Sequence, residues 1–160
     1  MTCWPFCRGY SDDPRRLHIG FAAGSRPDVD AFWSAGIAAG HRDDGAPGPR
    51  PQYRHDYYGA FLRDPDGNSA EAVHHGALDA RGVIDHLWIR VADVAAATGF
   101  YETIAPHAGL SLGAVSDEHA WFKGDSGSFT LVAGEPTQHL QMAFAAVDDE
   151  MVEALHRAAL

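Results

Sequence analysis

Positive charge is scarce in this chain of 160 residues: 12 Lys and Arg stand against 22 Asp and Glu, a formal net charge of −10. With a pI near 5.3, that balance argues against nucleic acid or anionic lipid as the main partner. No apolar run approaches the roughly 18 residues of a membrane span, so none is encoded. The opening MTCWPFCRGYSDDPRR lacks the apolar core of a signal peptide, and a cytoplasmic location is the expectation. Cysteine is almost missing. Cys3 and Cys7 are the only two, both in that leader. A lone Cys-x3-Cys pair reads as incidental thiols rather than a disulfide framework or a metal clamp.

What is present is ordinary for a globular chain, with 46% hydrophobic and 21% charged residues, long enough for one domain or a pair of small repeats. After the leader arm (1–16), LHIGFAA (17–23) reads as a strand. Ser25 is a plausible N-cap for a helix running to Ala39, with Pro27 in its first turn and Gly40 as its stop. Residues 41–56 are rich in Pro and Gly and read as a strand edge and a long loop. YYGAFLRD (57–64) is a strand, DPDGN a hairpin turn, and SAEAVHH (69–75) the returning strand.

Past a linker at 76–82 the same order begins again. VIDHLWIRVAD (83–93) is a strand, and 95–109 a helix with Phe100, Tyr101 and Ile104 on one face, its regular part ended by Pro106. One or two strands fall in 111–124, DSG (125–127) turns, and SFTLVAG (128–134) is the last strand. HLQMAFAAVDDEMVEALHRAAL (139–160) reads as a strand plus a helix, a partial third start. HIGFAAGSRPDVDAFW, IDHLWIRVADVAAATGFY and QMAFAAVDDEMVEALH are similar to one another. Self-similarity in fixed order signals duplicated units: a β-α-β-β-β unit at 17–75, another at 83–134, and a fragment at 139–160.

IDHLWIRVADVAAATGFYE (84–102), and YYGAFLRDPDGNSAEAVHH (57–75) with its DPDGN turn before a Glu-bearing strand, resemble the vicinal-oxygen-chelate superfamily. That group includes glyoxalase I, extradiol dioxygenases and bleomycin-resistance proteins. The resemblance implies an α+β fold in which two such units form curved mixed sheets around a cup. It also implies a divalent metal held by residues on the first and last strands of the units. Matched residue by residue, these are His18, His86 and Glu71. The fourth place falls on Thr130 or Leu131, neither a good ligand. The remaining two-histidine, one-carboxylate set resembles non-haem iron sites with open positions. Fe, Mn, Ni or Zn would suit it, acting on a small molecule with two neighbouring oxygens.

On strand alternation, Trp88 and Arg90 share the side of His86, and Gly20 the side of His18. Trp88 would stack on a flat substrate and Arg90 hold an anionic group, with Tyr57, Tyr58 and Trp121 as further wall residues. Plainer readings stand beside these. A strand histidine is more often merely hydrogen-bonded, and Glu71 could be a solvated rim carboxylate or pair with Arg63. His74 and His75 read as solvated, because neighbours on a strand cannot both join one site. Phe32, Trp33, Phe100 and Tyr101 read as core.

The unit order is the reverse of the superfamily's usual single-chain order. The fragment at 139–160 therefore either packs on its own chain or exchanges with a partner in a homodimer, or is the remnant of a truncated tandem. Two functions follow. One is a metal-dependent lyase, isomerase or ring-cleaving dioxygenase. The other is a metal-free resistance protein that captures a cationic drug or natural product, with a degenerate dimerising module as a third possibility.

Overall fold

In a computed structural model, residues 17–76, 78, 83–125 and 127–160 are described. The leader with Cys3 and Cys7, and most of the 76–82 linker, lie outside them. The first unit contributes β1 (His18–Ala22), α1 (Arg26–Ala38), β2 (Arg42–Pro49), β3 (Tyr58–Arg63) and β4 (Ser69–His74). The second contributes β5 (Ile84–Val91), α2 (Val94–Ile104), a 3-10 turn (Ala105–Ala108), β6 (Ser111–Val115), β7 (His119–Lys123) and β8 (Ser128–Ala133), and α3 (Asp149–Ala158) follows. All strands join one mixed sheet in the order β2-β3-β4-β1-β5-β8-β7-β6. In each unit the first and last strands pair in parallel, β1 with β4 and β5 with β8. The units meet along one antiparallel seam, β1 against β5.

Local chemistry sets the element ends. The Ser25 side chain accepts the amide of Asp28 to start α1, and Asp93 accepts that of Ala96 to start α2. Gly40, at φ 84°, takes the left-handed turn after α1 that a side chain would resist. Pro106 sits in the 3-10 turn, where the regular α2 has already stopped. The Pro- and Gly-rich segment forms more than a strand edge: β2 is a full edge strand of 8 residues, broken by bulges around Gly45. Proline survives there because an edge strand leaves half its amides unpaired.

Alternation divides the sheet into two faces. One lies under the helices. Val29 of α1 packs there on Ala60 and Ala72, with Phe32 and Trp33 alongside. In the second unit Ile89, Ala120, Phe122, Phe129 and Leu131 form a larger cluster, in which the Phe122 and Phe129 rings stack 4.9 Å apart. Tyr101 joins that cluster, but its neighbour Phe100 is 47% exposed, because adjacent helix positions cannot share one face.

The third start is only half realised. Residues 139–147 form no strand; Leu140, Met142 and Phe144 pack as irregular chain on the second-unit core, and α3 lies against α2 and the 3-10 turn of its own chain. The sheet already ends at β6, and the segment meets side chains rather than a free strand edge.

Candidate metal centre

Three side chains converge on the face away from the helices. His18 on β1, Glu71 on β4 and His86 on β5 come from strands that are neighbours in the sheet, although 53 and 68 residues separate them in sequence. Parallel pairing sets Glu71 beside Gly20, and antiparallel pairing sets Gly20 opposite His86. Two glycines make the approach possible. A Cβ at Gly20 would overlap the His86 imidazole, and one at Gly59 of β3 would press on the Glu71 carboxylate. Glu71 is 1% exposed and His18 5%, so neither is a rim residue. Arg63 pairs instead with Asp44, at 2.6 Å.

The donor atoms form a nearly equilateral triangle. His18 Nε2 lies 3.1 Å from Glu71 Oε2 and 3.0 Å from His86 Nε2, and His86 Nε2 lies 3.2 Å from Glu71 Oε2. With Glu71 ionised, as its lowered pKa has it, no distribution of protons satisfies all three edges. Protons on both Nε2 atoms face each other. A proton on His86 alone leaves the lone pair of His18 against the carboxylate. A central cation removes the conflict, since all three lone pairs then point at one positive charge. Donors held about 2.1 Å from one ion at right angles lie about 3.0 Å apart, close to the observed edges. The donor set and its spacing thus fit a divalent metal, and it is the one such cluster among the described residues.

The surroundings orient these donors. Tyr57 donates its hydroxyl to Glu71 Oε1 at 2.8 Å, leaving Oε2 for the triangle. Burial and then the Glu71 charge push the Tyr57 hydroxyl well above its usual range, so it remains a donor. Burial pushes Glu71 up, but the hydrogen bonds to His18 and His86 outweigh it and hold the carboxyl below its usual value. Burial also dominates at His18 and lowers it, the Glu71 hydrogen bond offsetting only part. At His86 burial acts downward too, yet the Asp85 and Glu71 bonds prevail and raise it to about 9. Asp85 is held well below the carboxylate range, burial being overcome by His75 and His86, so it is the acceptor and His86 Nδ1 carries the proton.

The other expected residues divide. Trp88 stands directly across from His18, ring centroids 5.8 Å apart. Arg90 lies one step further along β5, its backbone amide bonded to Thr137 and its side chain passing Gly134. Trp121 is on β7 beside Thr130, 38% exposed, with the Lys123 ammonium 5.6 Å above its ring. Tyr58 is not a wall residue: it faces α1 and donates its hydroxyl to Asp30, as alternation after Tyr57 requires. Between Thr130 and Leu131, register picks Thr130 as the counterpart of Glu71, because it pairs with Trp88 as Glu71 pairs with Gly20. Leu131 is buried in the helix-side core. Neither His74 nor His75 is solvated. His74 bonds the Ala23 carbonyl oxygen, and His75, one residue past β4 on the Glu71 side, reaches Asp85 at 3.3 Å and stacks on Tyr57.

No protein-family model matches the sequence, and no curated protein matches it. Solved structures do. A mutant glyoxalase I from Zea mays aligns over 88% of this chain and 53% of its own, 20% identical, TM-score 0.57. Another mutant of that enzyme aligns over 88% and 54%, 18% identical, TM-score 0.56. The chain thus spans about half the length of these structures. A glyoxalase/bleomycin resistance protein from Albidiferax ferrireducens T118 is 46% identical, but only over 36% of this chain and 46% of its own, TM-score 0.32. The mixed eight-stranded sheet of two βαβββ units therefore has the fold of these glyoxalase I structures.

Proposed function

We propose that His18, Glu71 and His86 hold one divalent metal ion, and that the protein is a glyoxalase-like, metal-dependent protein working on a small oxygen-rich molecule at this face. The reading is carried by the donor triangle, whose edges of 3.0, 3.1 and 3.2 Å suit a shared cation and leave a proton conflict around the ionised Glu71. When bound, such an ion supplies Lewis-acid polarisation of a substrate oxygen.

The chain's own groups prepare the site. Asp85 keeps a proton on His86 Nδ1, so Nε2 is the nitrogen that would ligate, its own proton being displaced by the ion. Tyr57 occupies one Glu71 oxygen and so aims the other. Gly20 and Gly59 clear the volume that the imidazole and the carboxylate fill. Trp88 supplies a flat apolar wall beside His18. With Thr130 at the fourth place, three protein ligands leave coordination positions for two neighbouring substrate oxygens.

The test is metal content after anaerobic, chelator-free purification and reconstitution with Fe, Mn, Ni or Zn. About one ion per chain is expected in wild type, falling at least roughly a hundredfold in affinity in Glu71→Ala, which loses one of three ligands. A screen of vicinal diols and α-keto compounds then identifies the substrate class. Wild type that stays empty after reconstitution ends the metal reading and leaves metal-free capture of a natural product.

A further inference from the structure

Outside the ligand triangle, one arrangement runs against the strand's own geometry. Asp85 and His86 are consecutive on β5, so their side chains should point to opposite faces. They are instead bonded to each other, Asp85 Oδ2 to His86 Nδ1 at 2.8 Å. The cause is a bulge. Gly20 pairs with His86 and the next residue, Phe21, with Ile84, so Asp85 is the extra residue of the ladder. Bulges re-aim side chains next to functional sites. The turned carboxylate uses its other oxygen as well: Oδ1 meets His75 Nε2 at 3.3 Å. The His75 ring stacks on Tyr57, centroids 5.6 Å apart and planes 24° apart, and Tyr57 donates to Glu71. A closed circuit therefore runs from Glu71 through His86, Asp85, His75 and Tyr57 back to Glu71, and His75 is the member that joins its two arms.

We propose that His75 is a positioning residue of the metal centre: its Nε2–H fixes the bulged Asp85 so that the free oxygen of Asp85 holds the His86 ring with Nε2 aimed at the ion. This rests on the reading of His18, Glu71 and His86 as ligands. Asp85 sits in a bulge with no ladder partner in register, and the His75 bond pins the second oxygen of a carboxylate that otherwise turns about its own axis. The ring stack on Tyr57 keeps His75 in place; the hydrogen bond carries the effect.

Two variants separate those parts. His75→Gln retains an N–H donor without the ring, and His75→Phe retains the ring without the donor. The probe is Co(II), titrated into the metal-free full chain and followed by visible absorption, with circular dichroism as the check on folding. Wild type is expected to take up one equivalent. His75→Gln should bind within about threefold of wild type with the same spectrum, and His75→Phe roughly ten- to a hundredfold more weakly with a changed band, the range typical of outer partners of ligating histidines. Nitrogen NMR of the metal-free protein adds a readout independent of loading: the Nδ1-protonated His86 signal should persist in His75→Gln and broaden or shift in His75→Phe. If His75→Phe does not fold, His75→Met, which also removes the donor, carries the same expectation. A His75→Phe that matches wild type, or two variants impaired alike, overturns the positioning role alone. Wild type that ignores Co(II) overturns the metal reading and this role together.

Discussion

The β1–β4 half and the β5–β8 half have one topology and share a first-strand histidine, but differ at other matching positions. Where β1 has Gly20, β5 has Trp88, and where β4 has Glu71, β8 has Thr130. Where β3 has Gly59, β7 has His119. On the helix side the contrast reverses. The first half buries small residues, Ala60 and Ala72, around Val29, and the second buries Ile89, Phe122, Phe129 and Leu131. The first half leaves room on the sheet's open face for ionisable groups that come from both halves, and the second puts more of its bulk into an apolar core. Duplication supplied the frame twice, so stability and chemistry do not have to be met by the same side chains.

The largest expected effect tests that division from the apolar side. Phe122 is fully buried, and Phe122→Ala should lose about 3–5 kcal/mol of unfolding free energy. The folded fraction should still bind metal as wild type does. Chemical denaturation and metal titration on the same sample check both, and a variant that loses metal affinity while folded breaks the comparison.

Next is pH, because the buried ionisable groups belong to the candidate metal centre and its surroundings. The folded His86 pKa, about 9, lies above the unfolded value near 6.5. Its contribution to metal-free stability is full below about 6.5 and is lost as pH rises toward 9, with a slope of up to about 1.4 kcal/mol per pH unit. His18 is lowered, and Glu71 and Asp85 are depressed, so stability also falls as pH drops below neutrality. Metal-free protein should therefore be most stable near pH 6.5–7. Urea unfolding at a series of pH values in chelator reads the profile, and a flat one from pH 6 to 9 would contradict the His86 assignment.

Gly20→Ala is smaller in stability but sharp at the site. The added methyl overlaps the His86 ring, an overpacking that costs about 1–3 kcal/mol, and it should weaken metal binding by turning that ring. Smallest is an attempt to erase the contrast. Thr130→Glu places a carboxylate at the counterpart of Glu71 and should strengthen Zn(II) binding by about tenfold, while destabilising the metal-free protein by burying another charge. Calorimetry with and without Zn(II) distinguishes these, and no change in affinity would mean the two halves are not equivalent about the ion.

Much of this was legible in the sequence, because duplicated units can be laid over each other. Ser25 and Asp93 cap corresponding helices, and that match carries His18 onto His86. The DPDGN turn fixes the β3–β4 hairpin, and so the side on which Glu71 falls. What escaped depends on contacts that strand periodicity does not contain. Alternation separates Tyr57 from Tyr58, but only the packing of α1 on Tyr58 decides which of them faces the site. His75 reads as solvated until β5 brings Asp85 within reach. The bulge at Asp85 has no signature in its own residues; it arises from pairing with β1, far away in the chain. The strand expected near Gln141 failed for a related reason, since its repeat-like pattern is satisfied by packing on the core of the second unit.

The seam between β1 and β5 has a kinetic consequence. It ties together His18 and His86, 68 residues apart, while most other pairings of the sheet stay within one unit. Each half can condense locally and early, and the seam then joins two formed halves across the β4–β5 connection. An ion gripping both histidines and Glu71 would tie that seam in the folded state only, so its stabilisation would follow the ion's affinity and free concentration. That tie would form after the folding transition state, so its effect falls on unfolding: metal-loaded protein should fold no faster than metal-free protein and come apart far more slowly.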